Sequence, residues 1–484
     1  MNAIINKLFN SEDKKVILST FYNDYTVKDI INQVDYYIDK LNSKHLKQKR
    51  IALIVPDIYE FVALVLAANK LGAIVIPISW QLRKDDLKTI LDHLDPHIFF
   101  TIKQFNGFTF GEEILEWAKD RKAETIIYEG DSNEDWKETL IKGSMKPLET
   151  SNIELICCSS GSTGVPKGMI YSPGILETAY RTLPDYMDLK ETDNVILNAP
   201  PTGFYGITAL FYGIYSGSTV IYPESFDLIK MIDLMNKKRC NKVISTPSIF
   251  KTIYQVAKEV NPNVVRRLQL VHLSGEVITS EYMKQFVLME DCKFVGMYGS
   301  SEGGAMGYCD LREKVVFTIP EDNKYKIVDG ELLIRTPTSF IEYYNNSDLN
   351  EKTLSQEGLI YMGDIVKEVE KGKIEIVGRK KDMIKKGGQQ VLPGEIEQLL
   401  NNNVAVKQSV VLGAPHSIYG EQVVAFIVPE KDVNFKELTY YCAQHIAGYK
   451  VPDRIITVDA FPLTNGKVDK MTLRSAYLEN VQKV

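Results

Sequence analysis

The sequence predicts an α/β protein built from a large N-terminal domain of doubly wound α/β layers, a small β-rich subdomain and a small α+β domain at the C-terminus. Three observations lead there. At 484 residues the chain exceeds what one ordinary hydrophobic core can organise, so more than one domain is expected. Buried-strand runs alternate with helical patterns over the first 150 residues and again beyond them. From about Val315 to Glu370 the apolar runs become short and turn-separated, the mark of a β-rich unit.

Taken in order, Arg50-Ile51-Ala52-Leu53-Ile54-Val55-Pro56 reads as a buried strand. Asp57 is placed to cap a helix whose apolar positions continue to Leu71, and Gly72 is placed to end it. Ala73-Ile74-Val75-Ile76-Pro77 is the next strand. The window from Phe61 to Leu82 is the most apolar, but Asn69, Lys70, Gly72 and Pro77 interrupt it, so it reads as buried helix plus strand and not as a membrane span. Further strands are expected at Glu154–Cys158, Val195–Asn198, Ser218–Tyr222 and Lys242–Ser245. In the β-rich part, Tyr325–Val328, Glu331–Arg335 and Ile365–Val369 are strands; beyond it come strands near 409–413 and 421–428 and helices near 394–402 and 434–447. The main boundary falls at Gly378-Arg379-Lys380-Lys381-Asp382, giving domains 1–378, with the β-rich subdomain at about 308–378, and 379–484.

Composition narrows the function. A net charge of −6 argues against a general nucleic-acid binder. Six cysteines without C-x-x-C spacing, after a start (Met1 to Lys15) too polar for a signal peptide, point to free thiols in a reducing cytoplasm. Six histidines without an H-E-x-x-H pattern give no zinc site.

Chemistry concentrates in a few stretches. Ser159-Ser160-Gly161-Ser162-Thr163-Gly164-Val165-Pro166-Lys167-Gly168 follows a strand directly. Its glycines let backbone N–H groups converge, its hydroxyls add donors and Lys167 adds positive charge, a combination suited to a polyphosphate. It is not a Walker loop, because Pro166 stands where the second glycine should be. Further on come Tyr298-Gly299-Ser300-Ser301-Glu302, Gly363-Asp364, the run from Gly378 through Gly388 to Glu395-Ile396-Glu397, and Pro462-Leu463-Thr464-Asn465-Gly466-Lys467-Val468.

These motifs, in this order, resemble those of the adenylate-forming superfamily: acyl-CoA synthetases, peptide synthetase adenylation domains and firefly luciferase. The resemblance runs from about residue 50 to the C-terminus and is nearest to acyl-CoA synthetases. It implies that a carboxylic acid is activated by ATP to an acyl-adenylate, then passed to a thiol, with the C-terminal domain mobile between the two steps. It implies catalytic roles for Lys467, Glu302 and Thr163, with Glu302 meeting Mg²⁺. ATP would be held by Ser159, Ser160, Gly161, Ser162, Thr163, Gly164, Lys167, Gly275, Glu276, Val277, Tyr298, Gly299, Ser300, Ser301, Asp364, Arg379 and Lys467. Tyr298 would stack on adenine and Asp364 would accept the ribose hydroxyls. Lys381 would be the hinge, and Lys385 and Gly388 would serve thiol transfer, Gly388 leaving room for a pantetheine arm. Gly203, Phe204, Tyr205, Gly303 and Gly304 would line the acyl pocket.

The chemistry suits such groups independently, since carboxylate attack on an α-phosphate joins two anions and is assisted mainly by positioning and positive charge. The chain departs from the family pattern in having Ser301 for threonine, no G-x-P segment between Glu302 and Gly330, Gly203 in place of a histidine, and Tyr171-Ser172-Pro173 after the phosphate loop.

The partners expected are a small carboxylic acid and coenzyme A, with a phosphopantetheinyl carrier protein as the alternative acceptor. The resemblance implies that an amino-acid-activating relative would carry an Asp near Phe204 to pair the ammonium; this stretch has no acid, which disfavours a free amino acid. His416-Ser417-Ile418-Tyr419-Gly420-Glu421 and Gly448-Tyr449-Lys450-Val451-Pro452 resemble acyl-CoA synthetases more than carrier-loading domains, which implies the coenzyme A acceptor. Lys371, Lys373, Arg379, Lys380, Lys381, Lys385 and Lys386 form a basic set that either helps bind coenzyme A phosphates or is a solvated charged strand pair. Two other classes compete: a non-catalytic nucleotide binder, and a serine hydrolase, because Gly299-Ser300-Ser301-Glu302-Gly303 satisfies G-x-S-x-G. The hydrolase elbow needs a helix straight after Ser301.

Overall fold

The computed structural model describes residues 13–121, 123–130, 136–144, 152–159, 167–276, 278, 280–430, 433–464 and 467–481. The chain divides into two compact units, Met1–Lys324 with Arg335–Ile360, and Tyr325–Ile334 with Tyr361–Val484.

The first unit holds two sheets. One runs Lys167–Tyr171, Leu155–Ser159, Ile74–Pro77, Arg50–Ile54, Ile98–Thr101, Thr125–Glu129, Lys137–Ile141. Its interior pairs are parallel and its two outer strands antiparallel. Ala52, Ile54, Ile76 and Phe99 pack on the helices Lys84–Leu94 and Phe110–Arg121. Leu53, Val75 and Phe100, on the opposite face, are equally buried. Burial on both faces is why the Arg50–Ile54 strand reads as an unbroken apolar run. Asp57 caps the next helix, Ile58–Lys70, accepting from the Tyr59 and Glu60 amides at 2.9 and 3.1 Å, and Gly72 leaves it at φ +74°.

The second sheet runs Phe317–Thr318, Gly304–Asp310, Lys293–Ser300, Leu270–Ser274, Lys242–Ser245, Asn194–Leu197, Thr219–Ile221, Val16–Ser19, Asp24–Thr26. From Lys293–Ser300 to Val16–Ser19 it is parallel. Ile196, Val243, Val271 and Phe294 pack with Met231 and Met235 of the helix Leu228–Lys237 and Phe250, Ile253 and Tyr254 of the helix Pro247–Val260. The helix Phe204–Ser216 is apolar all round and correspondingly buried. Helices thus wind onto sheets whose interior strands are parallel, and ligand sites of α/β folds lie at the C-terminal ends of such strands.

In the second unit, the strands Lys324–Val328, Glu331–Arg335, Ile360–Glu370 and Lys373–Arg379 lie side by side in that order. A separate sheet runs Gln389–Val391, Ile384–Lys386, Gly420–Pro429, Val406–His416, with Arg454–Thr457 parallel to Gly420–Pro429. The helices Pro393–Asn401 and Phe435–His445 cover one face through Ile396, Leu400, Leu438 and Cys442. Leu473 and Tyr477 of the helix Lys470–Val481 cover the other. All six cysteines are free thiols. No helix among the described residues is long and apolar enough to cross a membrane.

Candidate functional site

The strands that flank the phosphate-loop motif form an antiparallel hairpin with Ser159 opposite Lys167. Residues 160–166, and with them Ser160, Gly161, Ser162, Thr163 and Gly164, lie outside the described residues, as does Val277. The exit strand is clamped along its free edge by residues 341–344. Ile341 N donates to Ile170 O at 2.7 Å, Ile170 N to Glu342 O at 3.0 Å and Tyr344 N to Gly168 O at 2.7 Å. Gly168 permits this approach, since a Cβ there would lie 2.7 Å from Leu94 and 3.3 Å from Tyr344.

The Tyr298–Glu302 motif ends the Lys293–Ser300 strand and reverses through 301–303 into Gly304–Asp310. This strand–turn–strand path removes the serine hydrolase reading: Ser301 is followed by an antiparallel strand, where the nucleophile elbow requires a helix. The turn is tied on all sides. Gly303 N donates to Ser300 Oγ at 2.8 Å, Thr336 Oγ1 to Gly303 O at 2.8 Å, Tyr171 Oη to Ser301 O at 2.7 Å and Phe340 N to Glu302 O at 2.9 Å. Tyr343 Oη donates to Glu302 Oε1 at 2.8 Å, while Oε2 has no hydrogen-bond partner among the described residues. The Lys167 ammonium lies 5.5 Å from the centre of the Tyr343 ring. Burial first, then the Glu302 charge, raise the Tyr343 phenol above its ordinary range, so it remains a donor. A hard cation that takes few protein oxygens fits the open carboxylate oxygen.

Tyr298 is 8% exposed and its ring packs at 5.5 Å on Phe317. One strand over, Gly275 follows Ser274 at φ +91°, and Ser274 is in register with Met297, so Gly275 and Tyr298 sit at neighbouring strand ends. Glu276 is already engaged: it accepts from the Ser248 amide at 3.1 Å and from the Ser248 hydroxyl, in the first turn of the helix Pro247–Val260. Gly203 is the N-cap of the Phe204–Ser216 helix. Phe204 stacks on Tyr171 with centroids 4.1 Å apart and planes 2° apart. Tyr205 Oη is 2.9 Å from Nδ1 of His272, whose burial lowers its pKa to about 3 and keeps it neutral. The charge-free character of this group of side chains is therefore retained.

In the second unit, Asp364 and Arg379 are cross-strand partners, with Arg379 Nε 2.9 Å from Asp364 Oδ1. Asp364 is 3% exposed, and Arg379 also donates to Met362 O at 3.0 Å. Gly363, at φ +67°, donates to Glu331 Oε1 at 3.2 Å, and Lys380 pairs with Glu331 at 2.6 Å. Lys381 lies in the single 3₁₀ turn Lys380–Asp382. Lys385 and Gly388 are exposed on the hairpin Ile384–Lys386/Gln389–Val391, and a Cβ on Gly388 would meet nothing within 4 Å. Four members of the basic set are spent on ion pairs inside this unit: Lys373 with Glu370, Arg379 with Asp364, Lys380 with Glu331 and Lys386 with Asp453. Lys467 lies in the two-residue strand Lys467–Val468, opposite Thr464, and its side chain lies outside the described residues.

The chain matches the AMP-binding enzyme family over residues 9–344 and the AMP-binding enzyme C-terminal domain over residues 395–467. It belongs to this adenylate-forming family. Members are AMP-forming ligases that use ATP with Mg²⁺. The chain is 24% identical to the medium-chain fatty-acid–CoA ligase of Escherichia coli over 88% of its own length and 81% of the relative's. It is also 24% identical to the fatty acid–[acyl-carrier-protein] ligase ScoC of Streptomyces coeruleorubidus, over 88% and 86%. Its fold matches the ATP-bound crystal structure of MatB from Rhodopseudomonas palustris with a TM-score of 0.84, at 20% identity and 99% coverage of both chains.

Set against the AMP-binding family pattern, the first unit brings Lys167 and Glu302 onto one tyrosine, and the second brings Asp364 and Arg379 together. Sequence reading missed Tyr343, His272 and Thr338. Each acts through partners far away in the chain, and none sits in a stretch singled out from the sequence. Thr338 explains a glycine: a Cβ on Gly304, at φ +68°, would lie 2.2 Å from Thr338 Oγ1. Gly304→Ala is expected to destabilise the first unit by about 1–3 kcal/mol, read as a lower urea midpoint. An unchanged midpoint would show that the turn is not held as tightly as these contacts indicate.

Proposed function

We propose that this chain is an acid–thiol ligase that activates a carboxylic acid carrying no charge other than the reacting carboxylate, and transfers the acyl group to coenzyme A in the cytoplasm. The observation that carries the first half is the convergence of Lys167 and Glu302 on Tyr343, between the phosphate-loop hairpin and the 301–303 turn. A substrate carboxylate oxygen bonds to the α-phosphorus of ATP as the Pα–O–Pβ bond breaks, and pyrophosphate leaves. Charge gathers on the phosphate oxygens, where Lys167, the hydroxyls and amides of residues 159–164 and Lys467 would meet it. Glu302 would hold the Mg²⁺, which supplies Lewis-acid neutralisation of the phosphate charge. Asp364 would accept the ribose hydroxyls, with Arg379 orienting its carboxylate. Gly275, Glu276 and Tyr298 through Ser301 would border the adenine.

The thiol then attacks the acyl carbon and AMP leaves with the C–O bond electrons. We assign this step to a rearranged C-terminal domain, residues 379–484, pivoting at Lys381 and presenting Lys385 and Gly388. An uncharged acyl group is supported by Gly203, Phe204, Tyr205, Gly303 and Gly304, and by the neutral His272 behind Tyr205. Relatives of both acceptor types exist, a CoA ligase and a carrier-protein ligase. The acceptor assignment rests on the His416–Glu421 and Gly448–Pro452 segments.

ATP–pyrophosphate exchange across a panel of acids is expected to respond to neutral aliphatic or aromatic acids and not to amino acids, and coenzyme A is expected to accelerate AMP release. Amino-acid-dependent exchange would overturn the substrate reading. Acceleration only by a phosphopantetheinylated carrier would overturn the acceptor.

Domain movement separates the two half-reactions. Lys467→Ala is expected to lower pyrophosphate exchange by about 10²–10³ while supplied acyl-adenylate is still converted to acyl-CoA at a near-normal rate. Lys381→Pro is expected to do the reverse, since a fixed φ stiffens the pivot. Equal loss of both halves in folded Lys467→Ala protein would sink the moving-domain assignment.

A further inference from the structure

We propose that Tyr343 is a positioning residue for adenylate formation: its hydroxyl sets the orientation in which the Glu302 carboxylate meets the metal, and its ring keeps Lys167 close to that carboxylate without letting the two charges pair. The proposal rests on the reading of Glu302 as the metal ligand.

The geometry gives Tyr343 two faces of work. Its hydroxyl occupies Oε1 of Glu302 at 2.8 Å, which leaves Oε2 as the oxygen available to a cation. Its ring face carries the Lys167 ammonium at 5.5 Å, within cation–π range. Lys167 and Glu302 make no ion pair among the described residues, although both converge on this one side chain. A direct Lys–Glu contact would neutralise two groups that ATP and its metal each require in charged form. An aromatic ring between them keeps both charges available, and the hydroxyl adds a directional bond to the carboxylate.

The ring can do this because it is itself fixed. Tyr343 is 4% exposed. Its backbone bridges Met169 on the phosphate-loop exit strand, and its N–H donates to Asn350 Oδ1 at 2.7 Å. Phe340 meets its ring edge-on at 4.9 Å. The side chain therefore has little freedom of its own, and the carboxylate it holds inherits that rigidity. Partners that orient a metal-binding carboxylate typically change metal affinity by about 10–100-fold when removed.

The test uses Mn²⁺ as the probe, with free Mn²⁺ followed by electron paramagnetic resonance in the presence of α,β-methylene-ATP. Tyr343→Phe removes only the hydroxyl and should raise the Mn²⁺ dissociation constant about tenfold or more. Binding of the nucleotide analogue in metal chelator should stay within about twofold, because the ring and Lys167 remain. Glu302→Gln should weaken Mn²⁺ at least as much, and adding Tyr343→Phe to it should cost nothing further, since the two act through one bond. Wild-type Mn²⁺ affinity in Tyr343→Phe, with Glu302→Gln impaired, would overturn the role of Tyr343 and leave Glu302 as ligand. Wild-type affinity in Glu302→Gln would remove the ligand reading itself, and this proposal with it. Additive losses in the double variant, or lost metal-free nucleotide binding in Tyr343→Phe, would equally overturn it, because the hydroxyl would then be acting on the architecture.

Discussion

The stretch from Thr336 to Tyr344 has to lie against two places at once, and the first unit's site depends on its doing so. At one end Thr336 and Phe340 hydrogen-bond the carbonyls of Gly303 and Glu302. At the other, Ile341, Glu342 and Tyr344 bond the backbone of the phosphate-loop exit strand. Two motifs more than a hundred residues apart are thereby joined through a third segment that carries no motif. Such bonds are individually modest, but leaving any of these buried backbone groups unpaired would cost more than the bond contributes, so the arrangement is strongly enforced. At Gly304 the enforced closeness leaves no room for a Cβ, which would lie 2.2 Å from Thr338 Oγ1, and at Gly168 a Cβ would press on Tyr344 at 3.3 Å.

Electrostatics follow from that frame. The charged groups of the first unit's site stay apart, separated by Tyr343, and His272, behind the candidate acyl residue Tyr205, is kept neutral by its own burial. An unoccupied site that had already satisfied its own charges would have to break those pairs before binding ATP. In the second unit the reverse holds. Asp364 is buried and already paired with Arg379, so the carboxylate we propose for the ribose is oriented beforehand. Preorganisation of this kind lowers the reorganisation needed when charge develops.

Elements set by local chemistry were legible. Asp57 and Gly72 bracket their helix as read, Lys242–Ser245 and Glu331–Arg335 are strands over the residues expected, and the Phe61–Leu82 window is a buried helix followed by a strand. The family was legible too, because its motifs are contiguous and chemically odd. What escaped was non-local. Val16–Ser19 becomes a strand by pairing with Thr219–Ile221, so its partner is some two hundred residues away. Tyr343 stands in an ordinary-looking Glu-Tyr-Tyr-Asn run, and only the fold brings its hydroxyl to Glu302. The basic set near Lys381 left two readings open, an anion site or a solvated charged strand pair, because charge is visible in sequence while its pairing with Glu370, Asp364, Glu331 and Asp453 is not.

The central claim is that a substrate carboxylate attacks the α-phosphate of ATP, and the fate of a carboxylate oxygen tests it most directly. With a responsive acid labelled with ¹⁸O in its carboxylate, complete turnover with coenzyme A should leave one labelled oxygen in AMP, read by mass spectrometry. AMP without label, or label recovered in inorganic phosphate alongside ADP, would contradict the acyl-adenylate account.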